Sequence, residues 1–361
     1  MNEQSRIAPE KPPEKPIALV LQGGGALGAY GWGTVARLVE DGYQPVAVTG
    51  VSIGAINAAA IAGARGGDIA ASLQRLWQAI TLPEVPLLPE LFQETLSAFG
   101  NPNFYRLRAD FLSLASWTSL CDITPMERTL AEICDFEQIN NPAHMRFAVT
   151  ATDIGRGSSV RFLNTRETIT PKHVLASGAL PPGFPMAVIG ERSYWDGGLF
   201  DNTPLQPMLE LLTEAEIATL PIIVIDLFPR AGQKEPIPTN LLEVKNRTME
   251  LSFENRFWES YGAGGYRSYA AMLAVLDEAV PPTSKLRADP EFRALMLRRA
   301  LRNLHVIPNS HAPMTGGMDF SHTGVARRFQ RGWEGADAYL KKGGFAERAK
   351  ERHASEAGDA A

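Results

Sequence analysis

The chain has 361 residues, 45% hydrophobic and 21% charged, a balance that fits a folded globular protein and excludes a disordered, coiled-coil or collagen-like chain. Its 35 Lys and Arg stand against 40 Asp and Glu, a formal charge of -5, so no basic field is available to hold a polyanion and nucleic acid is not an expected partner. The length accommodates one α/β domain with an extension, or two domains.

Residues 1–16 mix prolines with Glu3, Arg6, Glu10, Lys11, Glu14 and Lys15, which leaves no apolar run for a signal peptide; a short flexible leader is expected. Residues 17–21 (Ile-Ala-Leu-Val-Leu) have the apolar continuity of a buried strand, and Gln22-Gly23-Gly24-Gly25 then leads into a helix-permissive segment ending near Glu40. The same unit repeats at once: a strand over 45–49, the turn Gly50-Val51-Ser52-Ile53-Gly54, and a small-residue helix over 55–64. That helix carries Asn57 and falls short of the ~20 apolar residues that span a bilayer, so a cytoplasmic protein is expected, with any membrane contact peripheral. Residues 82–121 are rich in Pro, Leu and aromatics, including Phe92, Phe99, Phe104, Tyr105, Phe111 and Trp117, and read either as extra core or as a lid or substrate wall. Further strands are expected at 146–152, 160–163, 193–195 and 222–227. A Pro/Gly/Lys linker at 229–238 precedes a mostly helical stretch to about Lys342 and a charged, Ala-rich tail from Glu347. In that stretch Val325, Phe329 and Trp333 recur at helical spacing, with Arg327, Arg328 and Arg331 on other faces. The pattern fits a core-packed helix with a solvated basic face, or a helix docked on an anionic membrane. Cys121 and Cys134 read as reduced packing thiols.

Strand–turn–helix alternation argues for an α/β fold with a mainly parallel sheet and its functional groups at the carboxyl ends of the strands. There lies Gly50-Val51-Ser52-Ile53-Gly54, a G-x-S-x-G pattern that thrusts a serine from a sharp turn onto a helix N-terminus, where backbone N–H groups favour negative charge. Gly23 to Gly28 also match G-x-G-x-x-G. A dinucleotide site would require a carboxylate at the end of the next strand, and that strand ends in Thr49-Gly50. Side-chain-free backbone at a strand end serves equally as an oxyanion hole, which makes the two glycine turns parts of one acyl-transfer site. The serine needs a base. Of six histidines none sits in a setting that marks it as a base, although His305 and His322 come late enough for the Ser…Asp…His order of an α/β-hydrolase; Asp196, followed by Gly197 and Gly198, ends a short apolar strand.

These three motifs, Gly23 to Gly28, Gly50 to Gly54 and Asp196 to Gly198, resemble in order those of the patatin-like phospholipase family. The text around them, Ala176-Ser177-Gly178-Ala179-Leu180-Pro181-Pro182 and Asp201-Asn202-Thr203-Pro204-Leu205, resembles its bacterial branch, over about residues 17–210. Segments 320–324 and 331–335 are similar to an uncharacterised C-terminal extension of some bacterial members. The resemblance implies a three-layer α/β/α fold over 17–228, a helical extension over 229–346, and a disordered tail over 347–361. It also implies hydrolysis of lipid carboxylic esters by a Ser52–Asp196 dyad, without metal or organic cofactor. Oxyanion donors would come from the loop of Gly23, Gly24, Gly25 and Gly28, chiefly Gly24 and Gly25, with Ile53 beside them. Where many members carry a basic residue before the last glycine of this loop, this chain has Leu27, which removes one reason to expect an anionic head group. Two other readings stand beside it: a Ser–His–Asp esterase using His305 or His322, and a binding module for lipid or protein with a vestigial site.

Overall fold

The computed structural model describes residues 15–87, 92–93, 96–228, 237–239, 244, 247–248, 251–252, 266–309, 317–343 and 345. Most of the expected leader and linker, and the whole tail, lie outside them. In chain order the strands are β1 (Lys15–Leu21), β2 (Tyr43–Gly50), β3 (Arg106–Leu107), β4 (Cys121–Asp122), β5 (Arg146–Asp153), β6 (Ser158–Leu163), β7 (Ala187–Ile189), β8 (Arg192–Asp196), β9 (Ile222–Asp226) and β10 (Leu304–Pro308). The helices are α1 (Gly28–Glu40), α2 (Ile53–Ala62), α3 (Ile69–Ile80), α4 (Thr124–Ile133), α5 (Phe136–Ile139), α6 (Pro171–Ser177), α7 (Leu205–Leu211), α8 (Glu214–Thr219), α9 (Tyr266–Ala279), α10 (Pro290–Leu297) and α11 (His322–Lys341).

One sheet runs β10-β9-β1-β2-β5-β8-β7, with β6 on the far edge of β5. Pairings from β10 through β5 are parallel, and those of β6, β7 and β8 antiparallel. The continuous apolar runs are explained by burial on both faces. Ile17, Leu19 and Leu21 of β1 face one core with α1, α2 and α3, while Ala18 and Val20 face a second core with Leu205, Met208 and Leu209 of α7. β9 alternates likewise, Ile223 and Ile225 to the first core and Ile222 and Val224 to the second. The result is the expected α/β/α layering.

Besides the two-residue pair β3 and β4, two strands of the main sheet escaped the sequence reading. β7 is short, and β10 interrupts the stretch expected to be helical; its register against β9, from Leu304↔Ile222 to Pro308↔Asp226, extends the parallel sheet by one strand. Beyond it α11 crosses α1 at close range. A Cβ on Gly33 would run into the Phe329 carbonyl, and one on Gly332 into that of Tyr30. Phe329 packs on Trp32 (ring centroids 4.2 Å), Arg37 pairs with Asp337 (3.1 Å) and lies over the Trp333 ring. The apolar stripe of α11 is therefore spent on α1.

The described aromatics of residues 82–121 divide between buried and exposed. Phe104 and Tyr105 are buried against Phe184, and Phe104 also meets Phe320. Phe92, Phe99, Phe111 and Leu112 are exposed. Cys121 and Cys134 are free and buried, and burial pushes the Cys134 thiol up to about 12.

Candidate active site

β2 ends at Gly50 and α2 starts at Ile53, so Val51 and Ser52 alone turn the chain. Ser52 takes φ 55°, ψ -126°, a conformation that costs a non-glycine residue of order 1–3 kcal/mol and persists only where the surroundings enforce it. They do. Its N–H donates to the Ser177 carbonyl (3.0 Å) and hydroxyl (3.1 Å), and the Gly54 N–H closes the turn on the Val51 carbonyl (2.8 Å). A Cβ on Gly50 would run into the Gly54 carbonyl and one on Gly54 into that of Leu21, so both flanking glycines are sterically required.

Sheet register brings the carboxylate to this turn. One edge of β5 pairs first with β2, ending at Gly50↔Val149, and then with antiparallel β8, whose last residue pairs as Asp196↔Ala151. Asp196 thus arrives where β2 has just ended, where the Ser52 side chain draws its pKa down against the effect of burial. Its Oδ1 accepts the Gly198 N–H (2.7 Å), its own N–H donates to the Ala179 carbonyl (3.0 Å), and its carbonyl accepts the Thr152 hydroxyl (2.8 Å). Gly197 is needed because a Cβ would run into the Thr150 carbonyl. Asp196 is 1% exposed, and burial pushes its carboxyl up to about 7, against the hydrogen bonds from Ser52 and Gly198.

The third element is the loop between β1 and α1. Gly23 packs against Ser52, and its peptide is held from both sides by Asn202: the Gly23 N–H donates to Oδ1 (3.1 Å) and Nδ2 donates to the Gly23 carbonyl (3.2 Å). The Ala26 N–H donates to the Gly317 carbonyl (2.8 Å) and that of Leu27 to the Gly24 carbonyl (3.2 Å). Among the described residues the N–H groups of Gly24, Gly25 and Ile53 have no acceptor. Buried Gln22 ties the loop to its neighbours, donating to the Thr203 hydroxyl (2.8 Å) and accepting the Leu227 N–H (2.9 Å). Gly28 lies deeper than the others: a Cβ there would press on Ile53 and Trp77, so its glycine lets α1 close on α2.

Sequence reasoning missed Gly317, and quoted Gln22, Ser177 and Asn202 without giving them roles. Asn202 is legible as a polar residue close behind the Asp-Gly-Gly turn; Gly317 is separated from its partner by most of the chain and leaves no local signal. The two histidines weighed as bases lie elsewhere. His305 shares a hydrogen bond with the Tyr339 hydroxyl (2.8 Å) on β10, with β9 and β1 between it and β2, and His322 is exposed at the start of α11. Among the described residues no group of three or more His, Cys, Asp or Glu is placed to hold a metal ion. Two cavities, of about 230 and 350 Å³, border α9 and α10 and include neither Ser52 nor Asp196 in their walls. No helix among the described residues is long and apolar enough to cross a membrane.

A family model described as patatin-like phospholipase matches residues 19–209. Among solved structures the chain is similar to VipD from Legionella pneumophila, at 17% identity and a TM-score of 0.40, over 92% of this chain and 67% of that one. It is also similar to a chain of the SpcU–ExoU complex of the Pseudomonas aeruginosa type III secretion system, at 16% identity and a TM-score of 0.27, over 91% and 78%. No curated protein matches the chain.

Proposed function

The chain belongs to the patatin-like phospholipase family, and from that premise we propose that it hydrolyses carboxylic esters of lipid acyl groups through a Ser52–Asp196 dyad. The observation that carries this reading is the strained Ser52 at the end of β2, with the buried Asp196 carboxylate brought beside it by the shared pairing of β2 and β8 on β5. Ionised Asp196 accepts the Ser52 proton as Oγ attacks the ester carbonyl carbon. Charge develops on the carbonyl oxygen, and the amides of Gly24 and Gly25, with that of Ile53, are the donors without acceptors of their own. Collapse expels the alcohol, which takes the proton from Asp196, and leaves an acyl-serine. Water, deprotonated by Asp196, then releases the fatty acid. Gly23 and Gly28 shape the loop and are not donors in this scheme. No histidine is required, which favours the dyad over a Ser–His–Asp triad, since Asp196 and neither late histidine adjoins Ser52.

The lipid side of the proposal draws on the exposed Phe99, Phe111 and Leu112. The segment that bears them is joined to the chain that follows α6, whose Ser177 holds the Ser52 N–H: Leu120 and Cys121 donate to the carbonyls of Pro182 and Gly183 (3.0 and 2.9 Å). Nearby charges cancel in the pairs Arg106–Asp122 and Arg108–Asp110, so this surface is apolar and not cationic. A cytoplasmic enzyme making peripheral contact with uncharged or zwitterionic lipid is the form that fits. Phe111→Ser with Leu112→Ser should lower hydrolysis of phosphatidylcholine vesicles about 10-fold or more while sparing a short water-soluble ester, because the loss is one of apolar contact.

The test of the dyad is labelling with a fluorophosphonate, mapped by peptide mass. Adduct is expected on Ser52, absent in Ser52→Ala, and formed about 100-fold more slowly in Asp196→Asn, the scale of general-base assistance. A folded protein whose Ser52 stays unlabelled with and without vesicles would overturn the reading and leave a lipid- or protein-binding module.

A further inference from the structure

Two hydrogen-bonded clamps bracket the amides of Gly24 and Gly25. A peptide unit is planar with its N–H and C=O opposed, so holding the Gly23 carbonyl aims the Gly24 N–H, and holding the Gly24 carbonyl aims that of Gly25. Asn202 does the first (3.2 Å). The second depends on the turn that carries the Leu27 N–H to the Gly24 carbonyl, and this turn is pinned from outside by the Gly317 carbonyl, which accepts the Ala26 N–H at 2.8 Å. Gly25, at φ +57°, has no room for a side chain because the Gly317 carbonyl occupies that place.

Gly317 belongs to the C-terminal part of the chain, and its loop is firmly anchored. Asp319 accepts the Ser321 N–H and hydroxyl (3.0 and 2.5 Å) on Oδ1 and Arg328 Nη2 (2.9 Å) on Oδ2, while Arg328 Nη1 reaches the Asp319 carbonyl (2.8 Å). Both side chains are nearly buried, 8% and 12% exposed, where an ion pair is screened little by water. Phe320 is buried beside Trp77 and Phe104, with its N–H on the Ser97 hydroxyl (3.2 Å) and its carbonyl accepting the Leu82 N–H (2.8 Å).

We propose that the loop 317–321, locked by the Asp319–Arg328 pair, is part of the acyl-transfer site: through the Gly317 carbonyl it positions the two amides that receive the oxyanion. Asp319 and Arg328 are positioning residues, remote from the substrate. This rests on the hydrolase reading above.

The experiment compares wild type, Arg328→Met, Arg328→Lys, Asp319→Asn and Asp337→Asn. On each, kcat and KM are measured with a short water-soluble ester, with inhibition by a trifluoromethyl ketone, which adds to the serine as an oxyanion, and the melting temperature. Arg328→Met and Asp319→Asn should lower kcat about 10- to 100-fold at nearly unchanged KM, and weaken the ketone in proportion, the scale of a slightly misplaced or lost oxyanion donor. Arg328→Lys should recover part of the loss. Asp337→Asn, on the same helix as Arg328, breaks the pair with Arg37 of α1 and should lower melting temperature without changing kcat. The proposal is overturned by an unchanged kcat in folded Arg328→Met or Asp319→Asn, by losses confined to KM, or by a kcat that merely follows melting temperature across all variants. Should Arg328→Met not fold, Arg328→Lys and Asp319→Asn decide alone. Wild type that neither labels at Ser52 nor cleaves the ester would mark failure of the hydrolase reading itself, and would remove this proposal with it.

Discussion

A carboxyl as enclosed as that of Asp196 holds its proton to a higher pH when folded than when unfolded, about 7 against 3.8. Folding therefore takes up a proton between those values; the stability this contributes is full below pH 3.8 and is lost as pH rises through about 7. Asp196→Asn removes the titration. It is expected to melt higher than wild type by a margin that grows from pH 4 to pH 8, as the buried carboxyl of wild type loses its proton. Thermal unfolding across that pH range checks it, and a constant difference would mean the carboxyl is not held protonated by burial. The active form is the carboxylate, so kcat/KM on a short ester should rise with pH and level off above about 7. At this scale the serine and aspartate were legible because turns this tight admit only glycine at Gly50, Gly54 and Gly197, and such glycines are visible in one dimension. The strain at Ser52 and the reciprocal bonds of Asn202 were not, since both depend on neighbours far along the chain.

Among the elements, the α1–α11 crossing shows how little a glycine says until its partner is known. Gly31 and Gly33 are equivalent in sequence, two glycines in one helix. In the fold a Cβ on Gly31 would make an ordinary contact with Asn57, whereas one on Gly33 would strike the backbone of α11. Gly33→Ala and Gly332→Ala should each cost about 1–3 kcal/mol by overpacking, and Gly31→Ala should be neutral or stabilising by up to ~1 kcal/mol from helix propensity. Denaturant unfolding of the three variants measures this, and equal effects would contradict the packing described. The element the sequence reading did not foresee, β10, is a five-residue, mostly apolar segment, Leu304–Pro308, in a mostly helical stretch. Periodicity cannot separate such a run from a buried helical turn, and only the open edge of β9 makes it a strand.

Over the whole molecule, the part expected to be an appendage is joined to the rest by β10 on the sheet edge and α11 on α1. A chain ending at residue 228 would expose the β9 edge and the apolar face of α1 that carries Trp32, so it should be insoluble or lack a cooperative unfolding transition. Soluble expression with a sharp melt would instead support 17–228 as an independent unit. What the sequence determined by itself was local: buried strands from unbroken apolar runs, glycine turns at their carboxyl ends, and a serine and an aspartate set where the backbone must turn sharply. These are properties of short segments, in which a residue's neighbours along the chain already limit its backbone. Tertiary structure alone decided which edge of β5 receives β8, and hence that Asp196 meets Ser52, that Asn202 grips Gly23, and that the Gly317 carbonyl seats itself against Gly25. Those contacts join residues far apart in the chain, through hydrogen bonds that either end could have made with water, and only the packed sheet and helices select the partner.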